Sequence, residues 1–345
     1  MSLFHASFDS HLTSSLAFAG KDGISILDLD HLEQSPFKTS QSGVGLVHIL
    51  KVNGSTMVAV VGSGDLAGSS PRKLRVLDVE TKKTACEFTF LSSILSCATS
   101  SQFMALCLES SIHIVELVGM KVILKISTTS NLKGIMTMSK TSVPTVLAYP
   151  SSDTMGEFNV VIIDVAIASS TSSRTSCVAH KSRLSCLQMN PTGTLIASAS
   201  VTGTIIRVFD SQTSTKVHEF RRGLQHANIS SLLFGLSDSL LLAGSSSGTV
   251  HIFHLQREEK SETITHDDLH YTTPSDVTPS SMIGKIFRAA ITSAQVELRQ
   301  GTNSTRAAYI ARIPNSEGPV SMCMTYPGNG EKRLFVVTLS GYLYR

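Results

Sequence analysis

Residues Leu195 to Asp210 read LIASASVTGTIIRVFD. An apolar stretch ends in the small residues Ser198, Ala199 and Ser200, a Gly203-Thr204 turn follows, and a β-branched stretch runs on to Phe209 and Asp210. Alternating side chains on either side of a glycine-containing turn specify two antiparallel strands, a hairpin unit. The unit recurs at Leu16 to Asp28 (LAFAGKDGISILD), Met57 to Asp78 with a long turn, Phe103 to Leu117 and Val146 to Asp164. Two more copies follow at Leu240 to Leu255 (LLLAGSSSGTVHIFHL) and Leu334 to Tyr344 (LFVVTLSGYLY). The first six copies lie about 40 to 50 residues apart, the period of a four-stranded propeller blade. The expected fold is all-β: one seven-bladed β-propeller domain over residues 1–345.

The step from Leu240 to Leu334 is about twice that period. The sixth blade should therefore carry a long insertion, residues 257–305, which begins EEK, turns Ser/Thr/Pro-rich and then apolar. The chain has no Trp, so the WD dipeptide of ordinary WD repeats is absent and the pattern alone carries the assignment.

Charge is nearly balanced, 29 Lys+Arg against 26 Asp+Glu, so no whole-molecule field points to nucleic acid and an anionic partner must meet a local patch. The six cysteines form no C-x-x-C pair and read as buried thiols rather than a zinc or redox site. No basic leader precedes an apolar core at the N-terminus, and no apolar run reaches the roughly 20 residues of a membrane span. A soluble cytoplasmic protein is expected. No P-loop, H-E-x-x-H or G-x-S-x-G nucleophile elbow is read in the chain, which argues against an enzyme and for no cofactor. His266, Asp267, Asp268 and His270 could be drawn as a metal cluster, but in that composition they read as a solvated loop, and no metal is expected.

The fifth and sixth units carry the unusual residues. His180-Lys181 precedes the fifth, Arg207 lies in its second strand, and Phe220-Arg221-Arg222-Gly223 follows it. Adjacent arginines on a strand point to opposite faces, which aims one guanidinium toward each neighbouring groove. The planar guanidinium binds phosphate oxygens in bidentate fashion, and Ser, Thr and His supply further donors. On the residues alone, such a pair also reads as two ordinary exposed strand arginines.

The string FRRG, with AHK, ASASVTGTIIRVF and GTVHIF around it, resembles the PROPPIN family of phosphoinositide-binding β-propellers, which includes the WIPI proteins. PRKLRV at Pro71 to Val76, CLESSIHI at Cys107 to Ile114, LAYPSSDTMGE at Leu147 to Glu157 and SGYLY at Ser340 to Tyr344 extend the resemblance over nearly the whole chain. It implies recognition of phosphatidylinositol 3-phosphate and the 3,5-bisphosphate in two pockets beside the FRRG strand. Matched by position, the first pocket would use Ser198, Ser200, Gly203, Thr204, Arg207 and Arg221 with His180 at its rim. The second would use Arg222, Gly223, Ser245, Thr249 and His251. A phosphate beside His180 would bring that histidine's titration near neutral pH, so that mild acid strengthens binding.

The resemblance further implies a membrane-contacting loop in the insertion. Met282 to Ile291 mixes large apolar and basic residues, with Ile283, Ile286 and Phe287 as the contacts, and Gln295 to Thr305 reads as a polar loop. It implies a monomeric scaffold of autophagosome formation and endosomal traffic, peripherally bound to preautophagosomal and endosomal membranes. Basic residues that recruit an autophagic adaptor in some members are absent at Leu117-Val118-Gly119 and Ile126-Ser127-Thr128. The chain stops at Arg345 where relatives continue, so the last blade is expected to be incomplete, with an open edge unless Leu3 to Phe8 covers it. The alternative reading is a protein-interaction propeller with little lipid affinity.

Overall fold

Each repeated unit is a hairpin in the structure, a computed structural model. It describes residues 3–8, 15–20, 23–29, 37–39, 43–52, 54–141, 143–163, 174–235, 238–255, 295–298, 306–313, 319–325, 333–338 and 343–344. All seven hairpins are the second and third strands of seven successive antiparallel sheets. In the fifth sheet the strands are Leu184–Met189, Leu195–Ser200, Ile205–Asp210 and Lys216–Arg221, in that order. The sixth begins Ile229–Phe234, Leu240–Ser245, Thr249–His254, and the fourth ends with Gly156–Ile163 and Arg174–His180.

The alternation seen in the sequence explains how the sheets stack. Each central strand buries both faces, and every pair of neighbouring sheets shares one apolar cluster. Ala197, Ala199, Ile206, Val208 and Phe220 of the fifth sheet meet Leu241, Ala243 and Phe253 of the sixth. On its other face, Ile196 and Phe209 meet Phe158, Cys177 and Ala179 of the fourth. The ring closes because Ala6, Leu16, Phe18 and Leu27 of the first sheet pack on Phe335 and Val337 of the seventh. Burial of one such side chain contributes about 1.5–3 kcal/mol. Among the described residues each sheet is covered by its neighbours on both sides, so no helix is needed to cover a face.

First strands of successive sheets line the centre. There Ser7 Oγ lies 2.8 Å from His48 Nδ1, and His48 Nε2 lies 3.0 Å from Thr99 Oγ1, a hydrogen-bonded link across three sheets. His5, whose Nδ1 accepts from Val47 N–H, is pulled down to about 4 by burial.

The aspartates that end the third strands have a structural task. Asp210 Oδ1 accepts from the N–H groups of Gln212 and Thr213, and Asp78 Oδ1 from those of Glu80 and Thr81. Each carboxylate thus holds the turn to the outer strand in a side-chain-capped form. These backbone donors hold both carboxyls below the usual range.

The N-terminal strand and the insertion's last strand depart from the sequence expectations. Leu3–Phe8 pairs with Ser15–Gly20 as the innermost strand of the first sheet, so it does not extend the outer edge of the seventh. In line with the expected incomplete last blade, the seventh sheet has three strands among the described residues, Pro319–Thr325, Arg333–Thr338 and Leu343–Tyr344. Gln295–Leu298, read as the start of a polar loop, is a strand pairing with Tyr309–Arg312, and the sixth sheet gains a fifth strand. Its Val296 and Leu298 alternate with Gln295 and Glu297, a period-two pattern that was available in the sequence.

Candidate functional site

Phe220 fixes the geometry. It is buried, its ring stacks on Phe253 of the sixth sheet with centroids 4.7 Å apart, and His218 stacks on it at 5.6 Å. With Phe220 turned toward the sixth sheet, strand alternation turns its neighbours Glu219 and Arg221 toward the fourth. Arg221 is exposed and ends the strand, opposite Ile205. Arg222 lies one residue beyond it rather than within the strand, and its side chain bends back on the fifth sheet's own turn. Its Nε donates to Gly203 O at 3.0 Å, an Nη donates to Gln225 O, and its backbone N–H donates to Thr204 O at 2.9 Å. Partial burial pulls its pKa below the ordinary arginine value, without discharging it.

Gly203 makes this arrangement possible. Its φ is +63°, and a Cβ there would lie 1.7 Å from Ala227 O. The turn therefore touches the segment that follows the arginine pair, and that segment is tied to the sixth sheet by Asn228, whose N–H donates to Ser246 Oγ at 3.0 Å. The carbonyls of Gly203 and Thr204, assigned from sequence to the first pocket, both accept from Arg222, assigned to the second. Gly223 is half-buried, and nothing stands within 4 Å of where its Cβ would be, so packing does not explain a glycine there.

On the side facing the fourth sheet, Ser198, Arg207 and Glu219 form one row across the fifth sheet. His180 Nε2 lies 3.0 Å from Ser198 Oγ, and Arg207 Nη1 lies 3.2 Å from His180 Nδ1 and donates to Ala179 O at 2.7 Å. Since Arg207 can only donate, His180 Nδ1 accepts, and the ring proton sits on Nε2 facing Ser198. Gly156 lies directly opposite His180, where a Cβ would come within 2.5 Å of the histidine's own. His180, Ser198 and Ser200 are all buried, with Ser200 O accepting from Ser185 Oγ and from Gly203 N–H. With no phosphate beside it, burial and the Arg207 charge lower His180 to about 4, so the imidazole is neutral at physiological pH.

The other face has its own row. Ser245 Oγ lies 2.9 Å from Thr249 Oγ1, which lies 3.2 Å from His251 Nε2, and Ser247 Oγ lies 2.7 Å from Ser245 Oγ. Ser245 and His251 are buried and Thr249 is half-buried. Gly244 to Gly248 do spell G-x-S-x-G, contrary to the sequence reading. They form the turn of a hairpin, however, and not the strand-to-helix elbow that exposes a nucleophile.

Two residues beside the arginine pair were missed in the sequence. Glu219 could have been found, because two residues before Arg221 on a strand means the same face. Arg306 could not: only the topology brings its backbone into a parallel bridge with Arg221, at the point where the insertion returns to the ring. The contacts proposed for Ile283, Ile286 and Phe287, and the His266–His270 cluster, lie outside the described residues. Among the described residues no helix is long and apolar enough to cross a membrane, and no His/Cys/Asp/Glu group is arranged to hold a metal. Burial pushes the Cys107 and Cys186 thiols up to about 11 and about 12.

Seven sheets closed by seven inter-sheet cores, with an arginine pair at the end of the fifth sheet's outer strand, define a β-propeller. The chain belongs to the PROPPIN family, whose sequence model matches residues 2–345. It is 30% identical over 344 residues to autophagy-related protein 18 of Yarrowia lipolytica, covering 90% of this chain and 84% of that protein. It is 32% identical over 343 residues to the human WD repeat domain phosphoinositide-interacting protein 1, covering 98% of this chain and 72% of that one. The Kluyveromyces lactis Hsv2 structure with its complete loop 6CD superposes with a TM-score of 0.72 at 16% identity, over 98% of this chain and 90% of that chain, which supports the fold. Membership puts the chain among non-enzymatic propellers.

Proposed function

We propose that the chain is a peripheral membrane effector that binds phosphatidylinositol 3-phosphate and phosphatidylinositol 3,5-bisphosphate headgroups in two shallow basic pockets flanking Phe220–Gly223. It acts as a scaffold in autophagosome formation and endosomal traffic, at preautophagosomal and endosomal membranes. The observation that carries this reading is the arginine pair itself. One buried phenylalanine anchors the strand, and the two arginines that follow it lie between two rows of hydroxyl and imidazole groups, one facing the fourth sheet and one on the sixth. Guanidinium forks and neutral O–H and N–H donors are what a phosphate monoester takes. The names of the relatives, autophagy-related and phosphoinositide-interacting, point the same way.

The chemistry is recognition rather than turnover. Each pocket is shallow, so each headgroup is held weakly, and two of them in one membrane plane give an avidity neither has alone. A membrane-contacting loop at Ile283, Ile286 and Phe287, in the insertion that returns beside Arg221, would add interfacial burial. Liposome co-sedimentation with and without phosphatidylinositol 3-phosphate tests the reading. Wild type should pellet only with the lipid, and an Arg221→Thr, Arg222→Thr variant should stay in the supernatant. Equal pelleting of both proteins, or of neither, favours the protein-interaction scaffold instead.

A further inference from the structure

The first pocket already contains an anion. Glu219 stands opposite Arg207 in the strand register and on the same face as Arg221. Its Oε2 accepts from Lys216 Nζ at 2.6 Å and from Arg207 Nε at 2.9 Å, and these two cations hold the carboxyl down to about 2. Arg207 Nη1 meanwhile serves Ala179 O and His180 Nδ1. The Nε edge of the guanidinium, one of the two edges on which a phosphate could bind through paired N–H groups, is thus taken by the protein's own carboxylate. The second pocket is built differently. The acceptors that Arg222 meets are the carbonyl oxygens of Gly203 and Gln225, and the facing row of Ser245, Thr249 and His251 brings hydroxyls and an imidazole.

Resting on the phosphoinositide reading above, we propose that Glu219 is a built-in competitor for phosphate at the first pocket, which makes the two pockets unequal and the first the weaker. A phosphate entering there must displace the carboxylate from Arg207 or share the arginine with it, and the two anions repel each other at close range. Arg221 is exposed and outside this clamp, so the pocket is weakened and not closed. Glu219 therefore determines how the headgroup load divides between the two sites.

The side chains of Arg207 and Glu219 are 23% and 39% exposed, so the pair contributes little to folding and its charge can be removed without loss of structure. Glu219→Gln keeps an oxygen that can accept from Arg207 and deletes the charge. The test is isothermal titration of inositol 1,3-bisphosphate into wild type, Arg222→Thr, and Arg222→Thr combined with Glu219→Gln. With the second pocket disabled, Glu219→Gln should tighten binding about fivefold. A gain in affinity cannot come from misfolding. Unchanged or weaker binding would overturn the proposal, leaving Glu219 as a positioning residue for Arg207. So would an Arg222→Thr protein that binds no headgroup while wild type does, since no first pocket would then exist to be weakened. Absence of headgroup binding in wild type would remove the phosphoinositide reading itself, and this proposal with it.

Discussion

At position 203 the backbone does what a side chain would prevent. Any residue other than glycine must accept φ of +63° and a collision with Ala227 O. Gly203→Ala should destabilise the protein by at least about 1–3 kcal/mol. Because the displaced turn carries the carbonyls that hold Arg222, it should also lower headgroup binding at the second pocket, read by thermal melting and by titration on the same sample. Histidine supplies a second expectation. His5 and His180 each titrate at about 4 in the folded protein, below the 6.5 of an unfolded chain. Between those values the unfolded chain binds more protons, so stability is full above about pH 6.5 and falls as the pH drops toward 4, by at most about 1.4 kcal/mol per pH unit for each. Chemical denaturation at stepped pH should show that slope, and His180→Gln should make it shallower. A slope of the opposite sign would contradict the buried, neutral assignment.

The outer strand Lys216–Arg221 divides its work between its two faces. Phe220 belongs to the core of the fifth and sixth sheets, and Arg221 belongs to solvent. Phe220→Ala should cost about 3–5 kcal/mol and weaken both pockets together. Arg221→Thr should melt within about 2 °C of wild type, because an exposed side chain contributes little, whereas Arg222→Thr, which removes the donor to the Gly203 and Gln225 carbonyls, should melt lower. This strand also shows what the sequence makes legible. Seven hairpins could be read because period-two alternation and turn chemistry are local, but the rule that adjacent strand residues point to opposite faces does not reach Arg222, which lies past the strand's end and folds back on the Gly203 turn. Depth could not be read. Ser198, Ser200, Ser245, His180 and His251, expected to line open pockets, are buried, since only the stacking of sheets decides whether a small polar residue faces water or a neighbour. The partnership of Glu219 with Arg207 depends on a register that no local pattern states.

Closure of the ring is a property of the whole molecule. It rests on Phe335 and Val337 of the seventh sheet against Leu16, Phe18 and Leu27 of the first, joined by chain segments more than three hundred residues apart in sequence. Phe335→Ala should cost about 3–5 kcal/mol and open the seam. Hydrogen exchange should then rise in the first and seventh sheets before the fifth and sixth, whereas uniform acceleration would argue that closure is shared evenly around the ring. The proposed binding site lies away from that seam, on the two sides of the fifth sheet. The measurement that tests this most directly is calorimetric titration of soluble inositol 1,3-bisphosphate, which reports stoichiometry without a membrane. Wild type should bind two headgroups, Arg221→Thr one, Arg222→Thr one and the double variant none; a single headgroup bound by wild type, or two retained by either single variant, would contradict the two-pocket site.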